Sequence, residues 1–430
     1  MFVPKLKAMT VFKNCFLLLL LSTLTLSISA QVLQPNTKPN PKVNYERLKR
    51  IDAVINEFVQ QNKIIGAVTL LVKDGQVVQH QAYGIDDVET KKPMPKDGIF
   101  RIASQTKALT TVGIMMLMED GKLLLNDPVS KYIPEFAKPV VLATFNEKDS
   151  SYTTVPAKRE ITIKDLLTHT SGLGYAGIGS PTMQAIYAKN RITGGVGEMT
   201  NEIDATMKRL AKLPLEVQPG EKWNYSLSTD VLGHVIEIIS GMDLETFFQK
   251  RICVPLGMKD TYFNLPAEKH ARLTAINTPD STGRLKKWAN GLGIPADFPN
   301  IKKSYFSGGG GLVSTAYDYA IFLQMLLNKG TYNGITLLSP RSVELMTSNQ
   351  VGALFGSGAF GLGFRIVTPA MSDELSNVGS FAWGGAFSTT YWVDPKAQLI
   401  GLFMTQQFPG TPAISELQGK FKVAVYQSLR

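Results

Sequence analysis

Apolar side chains recur at helical spacing along residues 45–62, at Leu48, Ile51, Val54, Ile55, Phe58 and Val59, which predicts a helix. The period then changes. Residues 66–84 carry two apolar, β-branched stretches, Ala-Val-Thr-Leu-Leu-Val and Gln-Val-Val-Gln-His, broken by Asp74-Gly75, and this predicts a hairpin. Residues 388–393 and 398–405 repeat that composition around Asp394-Pro395 and predict a second hairpin. Between the two sheet regions helical patterns dominate, at 106–119, 163–167, 228–240 and 244–250, and 315–327 follows them. Strands drawn from both chain ends are expected to pair into one sheet, with the intervening helices as a second lobe. A cleft between two such lobes is the natural place for chemistry.

At 430 residues the chain is too long for one ordinary core and suggests two domains or one composite body. With 44% hydrophobic and 19% charged residues, disorder, collagen and coiled coil are excluded as the main theme. No repeat of fixed period argues for a solenoid or propeller. The formal net charge is +10, but residues 1–30 hold Lys5, Lys7 and Lys13 and no acid. The remainder has 42 bases against 35 acids, or +7, scattered without a basic run, so no nucleic-acid partner is expected.

Those first 30 residues have the order of a secretory signal. A basic start leads into an apolar run from Phe16 to Ile28, followed by the small residues Ser29 and Ala30. Cleavage after Ala30 is expected, and with it export to the periplasm or beyond, without stable membrane insertion of the mature chain. Cys15 precedes the apolar run and so is not a lipid attachment site. Only Cys253 remains after cleavage, so no internal disulfide can form, and its apolar neighbours Ile252, Val254 and Leu256 mark it as a buried small hydrophobe. Residues 31–44, rich in Pro and Asn, read as an exposed linker.

Candidate chemistry is limited first by what is missing. His80, His169, His234 and His270 are isolated, with no spacing that assembles a metal site, and no cofactor motif is complete. There is no Gly-x-Ser-x-Gly nucleophile elbow. Gly308-Gly-Gly-Gly311 lacks the Gly-Lys-Ser/Thr of a phosphate loop and reads as close backbone packing. What remains is Ser104-Gln-Thr-Lys107, the one Ser-x-x-Lys of the chain, opening an amphipathic helix that ends at Gly121. Positions i and i+3 share a helix face, so the amine can lie beside the hydroxyl. A serine is a weak nucleophile until a base takes its proton, and a lysine can do so only when neutral. Burial and the positive end of a helix both favour the neutral amine. Alone, the same pair is equally a serine cap with a solvated lysine one turn later.

The segment resembles the first motif of the serine β-lactamase and penicillin-binding-protein superfamily, and later segments agree in order. Residues 161–172 (ITIKDLLTHTSG) are similar to its helix-and-loop landmark. Residues 218–226 (QPGEKWNYS) resemble the approach to its second motif, with Tyr225 at the catalytic tyrosine. Pro255-Leu-Gly-Met258 and residues 307–315 are further landmarks, and Ala382-Trp-Gly-Gly-Ala386 occupies the place of the third motif. The resemblance covers about residues 45–430. It implies an α+β fold of the β-lactamase/transpeptidase type. Residues 45–105 and 300–430 form an antiparallel sheet flanked by helices, and a mostly helical lobe, 106–299, is inserted between them.

The departures select a branch. The class C second motif is Tyr-x-Asn, whereas Leu227 stands at its third position and offers no hydrogen bond. The third motif there is Lys-Thr-Gly, whereas here Trp383-Gly384-Gly385 offers no charge. An anionic β-lactam loses two contacts, and a neutral ester loses none. The resemblance therefore implies a β-lactamase-like carboxylesterase, a serine hydrolase acting on a small ester or amide. Ser104 is the nucleophile and Lys107 and Tyr225 share the proton. The backbone of Ser104 and Ala386 forms the oxyanion hole, and Trp383, Gly384 and Gly385 form the substrate wall. His169 is expected to be a structural, hydrogen-bonded residue. A D,D-peptidase or β-lactamase, and a non-catalytic binding module on the same fold, are the alternatives.

Overall fold

The computed structural model describes residues 32–430 apart from 36, 200, 201, 289, 292, 293, 372 and 373. The expected signal segment and Cys15 lie outside the described residues.

A short helical turn, Tyr45–Leu48, runs into helix α1 (Arg50–Gln60), which buries Ile51, Ile55 and Phe58 on one face. Strands β1 (Gly66–Lys73) and β2 (Gln76–Gly84) follow as a hairpin. Its two turn residues, Asp74 (φ 51°) and Gly75 (φ 75°), are both left-handed, which is why an Asp-Gly pair sits there. The remaining strands of the main sheet come from the C-terminal part: β3 (Ala359–Phe360), β4 (Arg365–Ile366), β5 (Phe381–Gly384), β6 (Thr390–Asp394) and β7 (Leu399–Met404). The sheet order is β3-β4-β5-β6-β7-β1-β2, antiparallel throughout, and β1 pairs with β7 from Val68↔Met404 to Lys73↔Leu399. The two chain ends therefore do build one sheet.

Helices cover both faces of this sheet, so all eight residues of β1 are buried. Ala67 and Leu71 point to one side, where α1 meets a C-terminal helix, α5 (Pro412–Tyr426), through Phe58, Trp392, Phe403, Leu417 and Phe421. Val68, Leu70 and Val72 point to the other, against a helix spanning Ala316–Leu327, here α4. Alternate side chains of one strand thus enter two separate cores. The second core continues through helix α2 (Thr106–Glu119) to α3 (Ser228–Ser240), so a single apolar cluster joins sheet and helical lobe.

Two expectations need correction. The helix after Ser104 is not amphipathic: every residue from Thr106 to Leu117 is buried. Its threonines, which look like a solvated face, instead bond inward, Thr110 Oγ1 donating to the Gly308 carbonyl (2.7 Å) and Thr106 Oγ1 accepting from the Leu312 amide (3.1 Å). The segment after residue 31 is exposed over most of its length, as expected, but it is anchored rather than free. Leu33 and Val43 are buried, the Leu33 amide donates to Tyr332 Oη (3.1 Å), and Asn40 Nδ2 donates to the Lys73 carbonyl (3.1 Å), strapping the segment along the β1–β2 edge. The inserted lobe also carries strands, a hairpin of Val140–Asn146 with Ser151–Pro156 and a smaller one of Asn277–Pro279 with Leu285–Lys287. The chain ends in helix α5, one of the helices that flank the sheet. Cys253 is free and buried, and burial pushes its thiol well above the ordinary range.

Candidate active site

Ser104 occupies a 3-10 turn, Ala103–Gln105, that leads directly into α2. Ala103 is left-handed (φ 42°), a conformation costly for a residue with a Cβ, so surrounding bonds must hold it. They are in place: the Ile102 amide donates to Leu312 O (3.1 Å), the Gln105 amide to Ile102 O (3.0 Å) and Tyr319 Oη to Gln105 O (2.9 Å).

Lys107 lies one turn on and is buried, with its Nζ 3.4 Å from Ser104 Oγ and 2.7 Å from the Gly309 carbonyl. Tyr225, just before α3, places its Oη 2.6 Å from Ser104 Oγ. Lys107 Nζ also sits 4.6 Å from the Tyr225 ring centroid and 5.6 Å from that of Tyr175. Two groups, Lys107 one turn on and Tyr225 far along the chain, therefore converge on one hydroxyl, and a hydroxyl pair at this separation can exchange donor and acceptor roles.

The Gly308–Gly311 run explains why the lysine has its acceptor. This segment threads between α2 and α3 with no room for side chains. A Cβ on Gly308 would meet Thr229 O at 2.7 Å, and one on Gly309 would meet Asp230 Oδ2 at 2.3 Å. Asp230, in the first turn of α3, is itself fully buried and accepts from Ser307 Oγ (2.6 Å). Burial pushes its carboxyl up to about 6, against the pull of Ser307, Lys107 and the Gly309 amide.

An aromatic wall surrounds the hydroxyl. The Tyr225 ring packs against Tyr175 (5.5 Å), Trp223 (6.2 Å) and Trp383 (5.7 Å), and Phe360 meets Trp383 edge-on (5.5 Å). His169 is buried behind Tyr225, ring centroids 4.8 Å apart, with Nδ1 3.2 Å from Ser226 Oγ. Burial holds its imidazole well below the ordinary value, with Lys107 acting in the same direction, so the ring is neutral.

Ser104, Tyr225, Trp383, Gly384, Gly385 and Ala386 line one cavity of about 490 Å³, which Arg365 and Ile178 also border. Gly385 is required by close approach: a Cβ there would stand 2.4 Å from both Ile102 O and Thr389 Oγ1. Leu227 is buried at 1% exposure, with its amide donating to Gly174 O (3.0 Å), and does not border this cavity. Tyr175, Asp230, Ser307 and Arg365 are the site residues that sequence reasoning missed. None of the four carried a readable local signal, and Arg365 sits in a strand of only two residues.

A sheet built from both chain ends meets a helical lobe at a Ser-Lys-Tyr cluster. Residues 51–423 match the beta-lactamase family model, and the chain belongs to that family. It is 36% identical over 406 residues to an uncharacterised protein of Mycobacterium tuberculosis, covering 88% of this chain and 98% of that one. It is 29% identical to esterase EstB of Burkholderia gladioli, covering 83% and 89%. Among solved structures it is similar to EstCE1, a hydrolase with promiscuous acyltransferase activity. That match has a TM-score of 0.74 at 26% identity and covers 89% of this chain and 99% of the other.

Proposed function

We propose that the protein is an exported serine hydrolase that cleaves carboxylic esters through an acyl-enzyme on Ser104. The observation that carries this reading is the convergence of Lys107 Nζ (3.4 Å) and Tyr225 Oη (2.6 Å) on one serine hydroxyl at a cavity wall. Esterases among the relatives support it.

Ser104 Oγ attacks the ester carbonyl carbon while its proton passes to the Lys107–Tyr225 pair. Both groups reach the same hydroxyl, so the pair is assigned the role of base. The carbonyl electrons move onto oxygen, where the backbone N–H groups of Ser104 and Ala386 hold the oxyanion. Each such donor is worth about 3–4 kcal/mol. Collapse breaks the bond to the alcohol, which leaves with the proton returned through Tyr225. A water then gives its proton to the same pair and attacks the acyl carbon. The acid is released and Ser104 restored. General acid–base transfer of this kind contributes about 10²–10⁴-fold. Gly384 and Gly385 let the wall approach the substrate, and Trp383 gives it an apolar face.

A D,D-peptidase or β-lactamase would work through the same serine but lacks the amide and the ammonium that Leu227 and Trp383 replace. Turnover of short-chain p-nitrophenyl esters, beside a chromogenic cephalosporin, separates the two readings in wild type and Ser104→Ala. Ester turnover that disappears with Ser104→Ala is expected. Strong cephalosporin hydrolysis with negligible ester turnover would replace the esterase reading, and ester turnover surviving Ser104→Ala would remove the nucleophile.

A further inference from the structure

A second cavity, of about 380 Å³, shares no lining residue with the one beside Ser104. It opens where residues 159–170 and Gly220 face residues 350–354, and none of its lining takes part in the mechanism above.

Two of its lining residues are cations, Arg159 and Lys164, and one is an anion, Asp165. Arg159 and Asp165 are a fixed pair. Arg159 Nη1 and Nη2 donate to the two oxygens of Asp165 at 2.5 and 2.9 Å. The Thr162 amide (2.8 Å), the Thr162 hydroxyl (2.7 Å) and the Thr170 hydroxyl (3.3 Å) donate to the same carboxylate. Burial pushes the Asp165 carboxyl up, but the bonds from Arg159 and Thr162 outweigh it and hold the group below its ordinary value. Asp165 is therefore charged and fully engaged, and it neutralises one cation only.

The other donors are not used up. Arg159 Nε makes no hydrogen bond among the described residues, and the guanidinium has its place because position 220 is glycine. A Cβ on Gly220 (φ 87°) would stand 2.5 Å from Arg159 Nη2. Lys164 is half-buried, and its ammonium has neither an ion pair nor a hydrogen bond among the described residues. The opposite side of the cavity is hydrocarbon, from Val351 and from Leu354, which is 41% exposed. A surplus cation facing an apolar side is the lining of a site for a molecule with one acidic end and one apolar end.

We propose that this cavity is a second binding site, for a small organic anion whose acid group meets Lys164 and Arg159 and whose hydrocarbon part lies on Val351 and Leu354. The proposal stands apart from the ester reading and does not depend on turnover at Ser104.

The test is calorimetric titration of wild type, Lys164→Met, Leu354→Asp and Trp383→Ala with hexanoate, n-butyl phosphate and neutral hexanamide. Arg159 is left intact because the buried Asp165 depends on it, whereas Lys164 and Leu354 hold no such partner. One-to-one binding of hexanoate or n-butyl phosphate to wild type is expected, and the tighter of the two shows whether the site takes a carboxylate or a phosphate ester. Loss of a charged contact implies affinity lower by roughly tenfold or more in Lys164→Met, and for hexanamide in wild type. Leu354→Asp should weaken both anions, and Trp383→Ala, in the other cavity, should leave them unchanged. No saturable binding of either anion overturns the proposal, as does equal affinity in wild type and Lys164→Met, or a loss confined to Trp383→Ala.

Discussion

Replacing Asp230 by Asn removes a buried charge while keeping the shape and an acceptor for Ser307, so its effect must depend on pH. The Asp230 carboxyl, pushed from 3.8 to about 6 by burial, binds its proton more tightly in the folded chain than in the unfolded one. Between those values the unfolded state releases the proton first, so this group's contribution to stability falls as pH rises from about 4 to about 6 and stays low above that. Integrated, the penalty in the wild type is about 1 kcal/mol at pH 4.5 and about 3 kcal/mol at pH 8. The Asn side chain does not titrate and carries no such term. Urea unfolding of both proteins at pH 4.5, 6 and 8 therefore has a defined outcome: stability relative to wild type shifts in favour of Asp230→Asn by about 2 kcal/mol between the extremes. A difference between the two proteins that is flat with pH, within about 0.5 kcal/mol, would refute the reasoning that burial dominates this carboxyl.

Two other substitutions follow from distances at the nucleophile. Gly385→Ala places a Cβ 2.4 Å from Ile102 O, a backbone atom that cannot swing away, so the wall carrying Ala386 must move. Ester turnover is expected to fall about 10²-fold with about 1–3 kcal/mol of lost stability, and turnover within threefold of wild type would contradict the close approach. Tyr225→Phe keeps the ring in its stack with Tyr175 and Trp223 but deletes the Oη at 2.6 Å from Ser104. The expected loss in kcat/KM is about 10²–10⁴-fold at nearly unchanged melting temperature, and retained activity would remove the tyrosine from proton transfer.

The features legible in the sequence were those that depend on local patterning. The Asp74-Gly75 turn, the β6–β7 pair near residues 388–405 and the helix at 228–240 all follow from period and turn chemistry within about 20 residues. The Ser-x-x-Lys spacing placed two groups on one face for the same reason. The misreadings share one physical cause, partners distant along the chain. Thr106 and Thr110 look solvated until the Leu312 amide and the Gly308 carbonyl supply their hydrogen bonds, which lets α2 be buried on every side. Pro- and Asn-rich residues before Tyr45 look like a linker until Tyr332 and Lys73, far along the sequence, take their polar groups. Arg365 lies in a strand of two residues, too short to register as a pattern, and its place beside Trp383 comes only from the sheet pairing.

The most direct test of the central claim is covalent capture of the hydroxyl that Lys107 and Tyr225 approach. A fluorophosphonate should leave one adduct, on the peptide containing Ser104, absent in Ser104→Ala and formed much more slowly in Lys107→Met and Tyr225→Phe. An adduct on another serine, or labelling that persists undiminished in Ser104→Ala, would contradict the account.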